Sequence, residues 1–317
     1  MRQRPFMRVR AWATAGLLLL SLGGAGAAPD CPPPPPAPNA AQWQAAQREA
    51  RDVGLLWRLS KDGRDSWLFG TIHVGKLAWS APGPALRQAL ARSDVLALEI
   101  DPSDPQMAAL LRQATSNAPA VDAALRLRLQ AQASTACLPA DALQGLHPML
   151  QLVTLTLLQA RRDDLDAAFA QELMLAAAAR AAGLRIEALE SVEQQVGALL
   201  PADAAQLQQL LEQGLEPLER GRASPLLRRL AEAWAAGDLD TLERYADWCE
   251  CANTAEQRAW LRQLNDERNA HLAAGIDALH ARGQSIFAAV GALHMTGPQA
   301  LPGLLQQRGY RVQRVGF

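Results

Sequence analysis

Several absences narrow the chemistry open to this chain of 317 residues. It has no Gly-x-Ser-x-Gly, the turn that presents a serine nucleophile in esterases. It has no Gly-x-x-x-x-Gly-Lys-Ser/Thr loop to cradle phosphates, and no His-Glu-x-x-His, the helical signature of common zinc proteases. Cationic excess is missing too: 31 Lys and Arg stand against 32 Asp and Glu, a formal net charge of -1. Nucleic-acid binding draws on clustered Lys and Arg, so nothing here favours it. No solenoid-type repeat is present. Beyond the first residues, no apolar run is long and charge-free enough to span a bilayer, which takes about 20 residues.

What is there begins with Arg2, Arg4, Arg8 and Arg10 and no acid. An apolar run from Ala11 to Leu22 follows, then Ala25-Gly26-Ala27, the small-x-small pattern read by signal peptidase. Residues 1–27 therefore read as a cleavable secretory signal, with Gly26-Ala27-Ala28 as a neighbouring cut. Cleavage removes four arginines and no acid, so 27 basic residues face 32 acidic ones and the net charge becomes -5. The mature chain is expected in the periplasm or outside the cell, with no membrane span. Residues 28–42, with the proline run 32–38, read as a polyproline tether. Residues 43–317 form the folded domain.

Cysteine is scarce: Cys31, Cys137, Cys249 and Cys251. In an oxidising compartment an even count favours two disulfides. A Cys249–Cys251 bond would close a very tight ring, so each is expected to pair elsewhere. Cys-x-Cys without a second close Cys or His pair is a poor zinc site.

Leu55–Ser60 and Ser66–Ile72 flank Lys61-Asp62-Gly63-Arg64, a hairpin pattern with Asp-Gly at the turn. Asp94–Ile100 and Leu184–Leu189 are short apolar runs, read as buried strands. Ser285–Ala289 leads through Val290 into Gly291, and Tyr310–Val315 reads as a last strand. Between them, Pro105–Ala114, Asp122–Ala133, Pro148–Arg161, Leu165–Ala182, Ala202–Gln213, Pro225–Ala236, Leu239–Asp247 and Thr254–Ala281 read as helices. The pattern predicts an α/β fold, with α+β as the alternative. Its central mixed sheet takes strands from both chain ends around a large helical insert.

One pattern occurs twice. Trp67-Leu68-Phe69 runs into Gly70-Thr71-Ile72-His73, and Phe287-Ala288-Ala289-Val290 runs into Gly291-Ala292-Leu293-His294. Glycine permits a tight turn or a close approach, and each histidine would stand just past a strand's C-terminal end, where α/β sheets collect ligands. Glu99 and Glu190 fall at similar strand ends, and bare carboxylates there are costly unless paired or metal-bound. Two imidazoles and one or two carboxylates suit a divalent transition metal with an open water position, which supplies a nucleophile near neutral pH. A structural histidine after a strand is the plainer reading of either copy alone. His147 precedes Pro148 at a helix start and reads as structural; His271 and His280 lie nine apart on one helix and do not share a face. Arg268 and Asn269 on that helix could bind a carboxylate or a developing oxyanion, or lie on a solvated face.

Taken in order, these segments resemble the TraB/PrgY/GumN family, which includes the animal Tiki proteins. Leu68-Phe69-Gly70-Thr71-Ile72-His73-Val74 looks like its first motif, and Leu96-Ala97-Leu98-Glu99-Ile100-Asp101 like its acidic strand. Ala188-Leu189-Glu190-Ser191 through Glu193-Gln194-Gln195 is similar to its Leu-Glu segment. Ala235-Ala236-Gly237-Asp238 resembles its Gly-Asp helix start, and Glu267-Arg268-Asn269 its Arg-Asn motif. Ala289 to Gly297 looks like its second Gly-x-x-His motif, and Gly309-Tyr310-Arg311-Val312 its ending. Trp248-Cys249-Glu250-Cys251 looks like the secreted bacterial GumN branch. The resemblance spans residues 53–317.

It implies an α/β fold related to erythromycin esterase, ChaN-like and Tiki proteins. For Tiki-like members it implies metal-dependent proteolysis, with manganese or cobalt favoured and zinc as a further candidate. His73 and His294 would then be metal ligands. Glu99 and Glu190 would be a ligand and a general base in either order, and Arg268 and Asn269 would position substrate. The expected activity is a periplasmic metal-dependent hydrolase acting on a peptide. A small ester or lactone substrate is one alternative, and a non-catalytic envelope binding or assembly protein is another.

Overall fold

The computed structural model describes residues 31–317, and the expected signal, residues 1–27, lies outside the described residues. Six strands form one mixed sheet in the order β4-β3-β5-β2-β1-β6. They are β1 (Leu55–Lys61), β2 (Arg64–Thr71), β3 (Val95–Leu98), β4 (Arg185–Ala188), β5 (Ile286–Gly291) and β6 (Arg311–Val315). β4, β3, β5 and β2 run parallel, while β1 pairs antiparallel with both β2 and β6. The central strands carry no alternation because helices cover both faces: Val95 to Leu98 and Ile286 to Val290 are fully buried. The expected hairpin is present. Asp62 (φ 52°) and Gly63 (φ 73°) make the two-residue turn whose twist matches the strands. The α/β reading therefore holds, with strands from both chain ends in one sheet.

Helical segments outweigh strand. Most of the insert lies between β3 and β5, and it carries a hydrophobic cluster of its own around Leu125, Leu129, Leu152, Leu155, Leu207, Leu211 and Leu215. Several expected helices are shorter or divided. Thr254–Ala281 splits at Asn265 into Ala255–Leu264 and Asp266–Ala281, because Asn265 leaves helical geometry (φ -119°, ψ -74°) and turns its side chain back to the Leu261 carbonyl. Leu165–Ala182 becomes helical only from Gln171, after a 3-10 turn (Ala167–Phe169) capped by Asp166. Leu239–Asp247 divides into Leu239–Glu243 and Tyr245–Trp248. Helices Ala40–Arg48, Pro84–Ala91, Val192–Leu199 and Leu301–Gln307 lie outside the segments read as helical. The first starts inside the expected tether, where Asn39 and Gln42 form a capping box.

The cysteine pairing corrects the expectation. Cys249 bonds to Cys251, and Cys31 bonds to Cys137 across 106 positions. The tight ring closes because Glu250 adopts a left-handed conformation (φ 57°), which brings the flanking Cα atoms to 5.1 Å. Among the described residues, no helix is long and apolar enough to cross a membrane.

Candidate active site

The C-terminal ends of the four parallel strands share one edge of the sheet, and each delivers a singled-out residue. β2 leads to His73, β3 to Glu99, β5 to His294 and β4 to Glu190. β2 and β5 are direct neighbours, with Thr71 opposite Gly291, so the two Gly-x-x-His motifs end side by side. The ladder between β3 and β4 continues past both strands: the Leu189 N–H donates to the Leu98 carbonyl, and the Glu190 N–H to the Glu99 carbonyl. That ladder sets the two glutamates abreast.

Arg268 joins them. It sits in the first turn of Asp266–Ala281. Its Nε donates to Glu190 Oε1 at 2.9 Å, and its Nη2 donates to Glu99 Oε2 at 2.6 Å and to Glu190 Oε2. Nη1 donates to the Leu264 carbonyl. These bonds use one N–H of Nε, two of Nη2 and one of Nη1, out of the five a guanidinium carries. The charges stand in little water, with side-chain exposures of 15% for Arg268, 9% for Glu99 and 3% for Glu190. Desolvation lowers the Arg268 pKa, but its bonds to Glu190 and the charge of Glu99 outweigh this and raise it.

Glu99 accepts more hydrogen bonds than Glu190. Oε2 also accepts from Gln195 Nε2 at 3.0 Å, and Oε1 accepts the Gly291 N–H at 2.7 Å. A Cβ on Gly291 would stand 3.3 Å from Glu99 Oε1, so the glycine is what lets the carboxylate sit this close. Burial pushes the Glu99 carboxyl upward, but His294, Arg268, His73 and the Gly291 N–H outweigh it and hold it down at about 2.

His294 lies in the 3-10 turn after β5 and is buried. Asn269 Nδ2 donates to the His294 and Gln299 carbonyls, which turns its Oδ1 toward His294 Nδ1 at 2.6 Å. An acceptor there assigns the proton to Nδ1 and leaves Nε2 with its lone pair. Nε2 faces Glu99 Oε1 at 3.7 Å. Burial keeps the His294 pKa below its ordinary value despite the pull of Glu99, so the ring is neutral at pH 7.

His73 is held differently. Its side chain is 70% exposed, yet Nδ1 stands 3.1 Å from Glu172 Oε1, which also accepts from Thr71 Oγ1. The Glu172 charge raises the His73 pKa against the desolvation of the ring, and solvent on the open face screens that pull. Burial raises the Glu172 carboxyl, and His73 with Thr71 brings it below the usual range. Nδ1 of each imidazole thus faces a fixed acceptor, and Nε2 is the nitrogen left over.

The donor set bears on whether a metal fits. Nε2 of His294 and Oε1 of Glu99 are two lone-pair atoms facing each other beyond hydrogen-bond reach, an arrangement that suits a shared cation. Among the described residues, no group of three or more His, Cys, Asp or Glu side chains stands close enough to hold a metal ion. The pair of His294 and Glu99 is in place, while His73 is held against Glu172.

The sequence reading missed Glu172, Thr71 and Gln195 as contributors. Gln195 and Thr71 lie inside the quoted motifs, whereas Glu172 carries no local signal; only the docking of its helix puts it beside His73. Asn269 is fully buried, and its amide is committed to His294 and two backbone carbonyls. His147 caps the Pro148–Gln159 helix by accepting from the Met149 N–H, and His280 Nε2 lies 3.1 Å from the Lys61 carbonyl. A cavity of about 240 Å³ is lined by Asn265, Asp266, Leu293 and Thr296, close chain neighbours of Arg268 and His294 rather than those side chains themselves.

A family model described as the TraB/PrgY/gumN family matches residues 55–314, most of the chain. No curated protein and no solved structure matches the chain.

Proposed function

The chain belongs to the TraB/PrgY/gumN family, and from that premise we propose that it is an exported, periplasmic metal-dependent hydrolase, with peptides as the first substrate class to test. One observation carries the reading: the neutral His294 ring, fixed through Asn269, aims an unprotonated Nε2 at the ionised Glu99 carboxylate across 3.7 Å. His294, Glu99 and His73 are the residues that would hold the metal. A bound divalent transition ion, manganese or cobalt before zinc, would lower the pKa of its water to supply a nucleophile near neutral pH.

The chain's own residues do the rest. Asn269 and Glu172 hold the two imidazoles with Nε2 forward. Gly291 admits the Glu99 carboxylate to the backbone. Arg268 bridges Glu99 and Glu190 and offsets one of their two charges, and its fifth N–H, on Nη1, is the donor available to a substrate carbonyl or a developing oxyanion. Glu190 is the carboxylate left to move a proton, and its place is set by Arg268. The cavity beside Leu293 and Asp266 offers room for the part of a substrate next to the reacting bond.

A second reading is a non-catalytic envelope binding or assembly protein. It is favoured by the absence of a preassembled three-donor group among the described residues. Metal analysis of the full chain separates the two. The hydrolase reading expects about one Mn²⁺ or Co²⁺ per chain, lost in His294→Ala and weakened in His73→Ala. Parallel peptide and ester libraries with added Mn²⁺ or Co²⁺ then assign the bond. Full metal retention by both variants, or no metal uptake by the wild type, would remove the hydrolase reading.

A further inference from the structure

The Cys249–Cys251 disulfide lies outside the site just described and gains little from its position in the chain. A disulfide stabilises chiefly by closing a long loop in the unfolded chain, and a ring two residues apart closes almost none. Cys31–Cys137, across 106 positions, is the bridge that does so here. The short ring depends on Glu250 holding a left-handed conformation (φ 57°), which is unfavourable for a side chain other than glycine. Its surroundings retain it. Glu250 Oε2 stands 2.8 Å from Arg222 Nε, off the line of a good hydrogen bond, and Arg229 lies 4.4 Å over the Trp248 ring.

The two sulfurs are not equivalent. Cys249 is buried, whereas Cys251 is only partly buried. The Cys251 N–H donates to Cys249 Sγ at 3.1 Å. A donor aimed at one sulfur favours charge on that sulfur when the bond opens, so Cys249 is the better leaving thiolate and Cys251 the sulfur open to attack. Both cysteines also line a cavity of about 260 Å³ whose other walls include Leu152, Leu226, Leu230, Tyr245 and Trp248. An incoming group therefore has an apolar place to rest beside the bond.

We propose that Cys249–Cys251 is a thiol–disulfide exchange site for a peptide dithiol with apolar residues next to its cysteines. A substrate thiolate attacks Cys251 Sγ; a mixed disulfide forms there, the Cys249–Cys251 bond breaks, and its electron pair leaves on Cys249. The second substrate thiolate then attacks the substrate sulfur of the mixed disulfide and expels the Cys251 thiolate. The substrate ends as a disulfide, the protein as a dithiol, and the two protons released by the substrate pass to Cys249 and Cys251. The substrate dithiol is the reductant and the protein disulfide the oxidant, so one turnover needs no other reagent.

The test uses the full oxidised chain in graded glutathione redox buffers, alkylated and mapped by mass spectrometry. Cys249–Cys251 should open at a glutathione ratio at least tenfold less reducing than Cys31–Cys137. Glutathione attacking the wild-type disulfide, quenched in acid, should be trapped on Cys251 at least tenfold more often than on Cys249. A Leu-flanked two-cysteine peptide should yield about one equivalent of peptide disulfide per wild-type chain and none with Cys249→Ser/Cys251→Ser. Opening of both disulfides together, or of Cys249–Cys251 last, overturns the proposal and needs only the wild type. So does glutathione trapped on Cys249 as often as on Cys251.

Discussion

Asn269 and His294 stand 25 positions apart in the chain, with Asn269 Oδ1 and His294 Nδ1 only 2.6 Å apart. The asparagine cannot flip without turning its Oδ1 toward two backbone carbonyls, so it dictates which imidazole nitrogen carries the proton. Asn269→Leu should therefore cost about 1–3 kcal/mol of stability, for the buried polar atoms it strands. It should also weaken Mn²⁺ binding by roughly 10- to 100-fold. Urea unfolding and a metal titration on the same preparation check both. Unchanged metal affinity at lowered stability would reduce Asn269 to a purely structural residue.

The Arg268 cluster makes a second prediction. Arg268→Met leaves Glu99 and Glu190 facing each other in a dry site and should cost about 3–5 kcal/mol. Adding Glu99→Gln and Glu190→Gln to Arg268→Met removes every uncompensated charge and should recover part of that loss. Equilibrium denaturation of the single and triple variants decides it; a triple variant less stable than the single one would contradict the account.

A third concerns acid. Glu99 is held down at about 2, against an unfolded glutamate near ~4.3. A depressed carboxyl contributes stability that is fully present above the unfolded pKa and is lost as pH falls through the folded one. The window therefore runs from about pH 4.3 to about pH 2. The gap corresponds to roughly 3 kcal/mol. Urea midpoints measured from pH 5 to pH 2 should fall more steeply for the wild type than for Glu99→Gln. Parallel slopes would mean that Glu99 does not carry the acid limb.

A fourth tests the loop that bears His73. Gly75 and Asp166 exchange two backbone hydrogen bonds, and a Cβ on Gly75 would fall 2.4 Å from the Phe169 carbonyl oxygen. The contact is with backbone, so relief requires the bridge to open. Gly75→Ala should cost about 1–3 kcal/mol in thermal or urea unfolding. Metal affinity should fall with it if His73 is a ligand. A variant as stable as the wild type would show that this bridge is dispensable.

Much of the fold was legible because buried strands are short, apolar and bounded by turn chemistry. Asp62-Gly63 announced its hairpin, Asp94–Ile100 read as a buried strand, and Ser285–Ala289 read as a strand leading into Gly291. The strand-end residues were legible as a pattern, since a glycine followed by histidine recurs at both ends of the chain. What failed was set by tertiary context. The helix break at Asn265 depends on a side chain folding back onto Leu261, and the Cys249–Cys251 ring on Glu250 accepting a left-handed backbone. Glu172 has no periodic or motif signal, because its meeting with His73 arises only from how one helix docks. Asn269 was singled out, but its partner was not readable, since 25 positions of chain lie between it and His294.

The strand order has a consequence for how the molecule is made. β5 separates β3 from β2, and it is encoded only at Ile286–Gly291. A chain emerging from its N-terminus can close the β1–β2 hairpin and pair β3 with β4, but these halves have no common edge until nearly 290 residues exist. Such late, long-range closure is slow, and it leaves the β2 and β3 edges that await β5 open in the nascent chain. The same delay means that Glu99 and His73 wait on the segment that carries His294, so the strand-end cluster is assembled only when the chain is nearly finished.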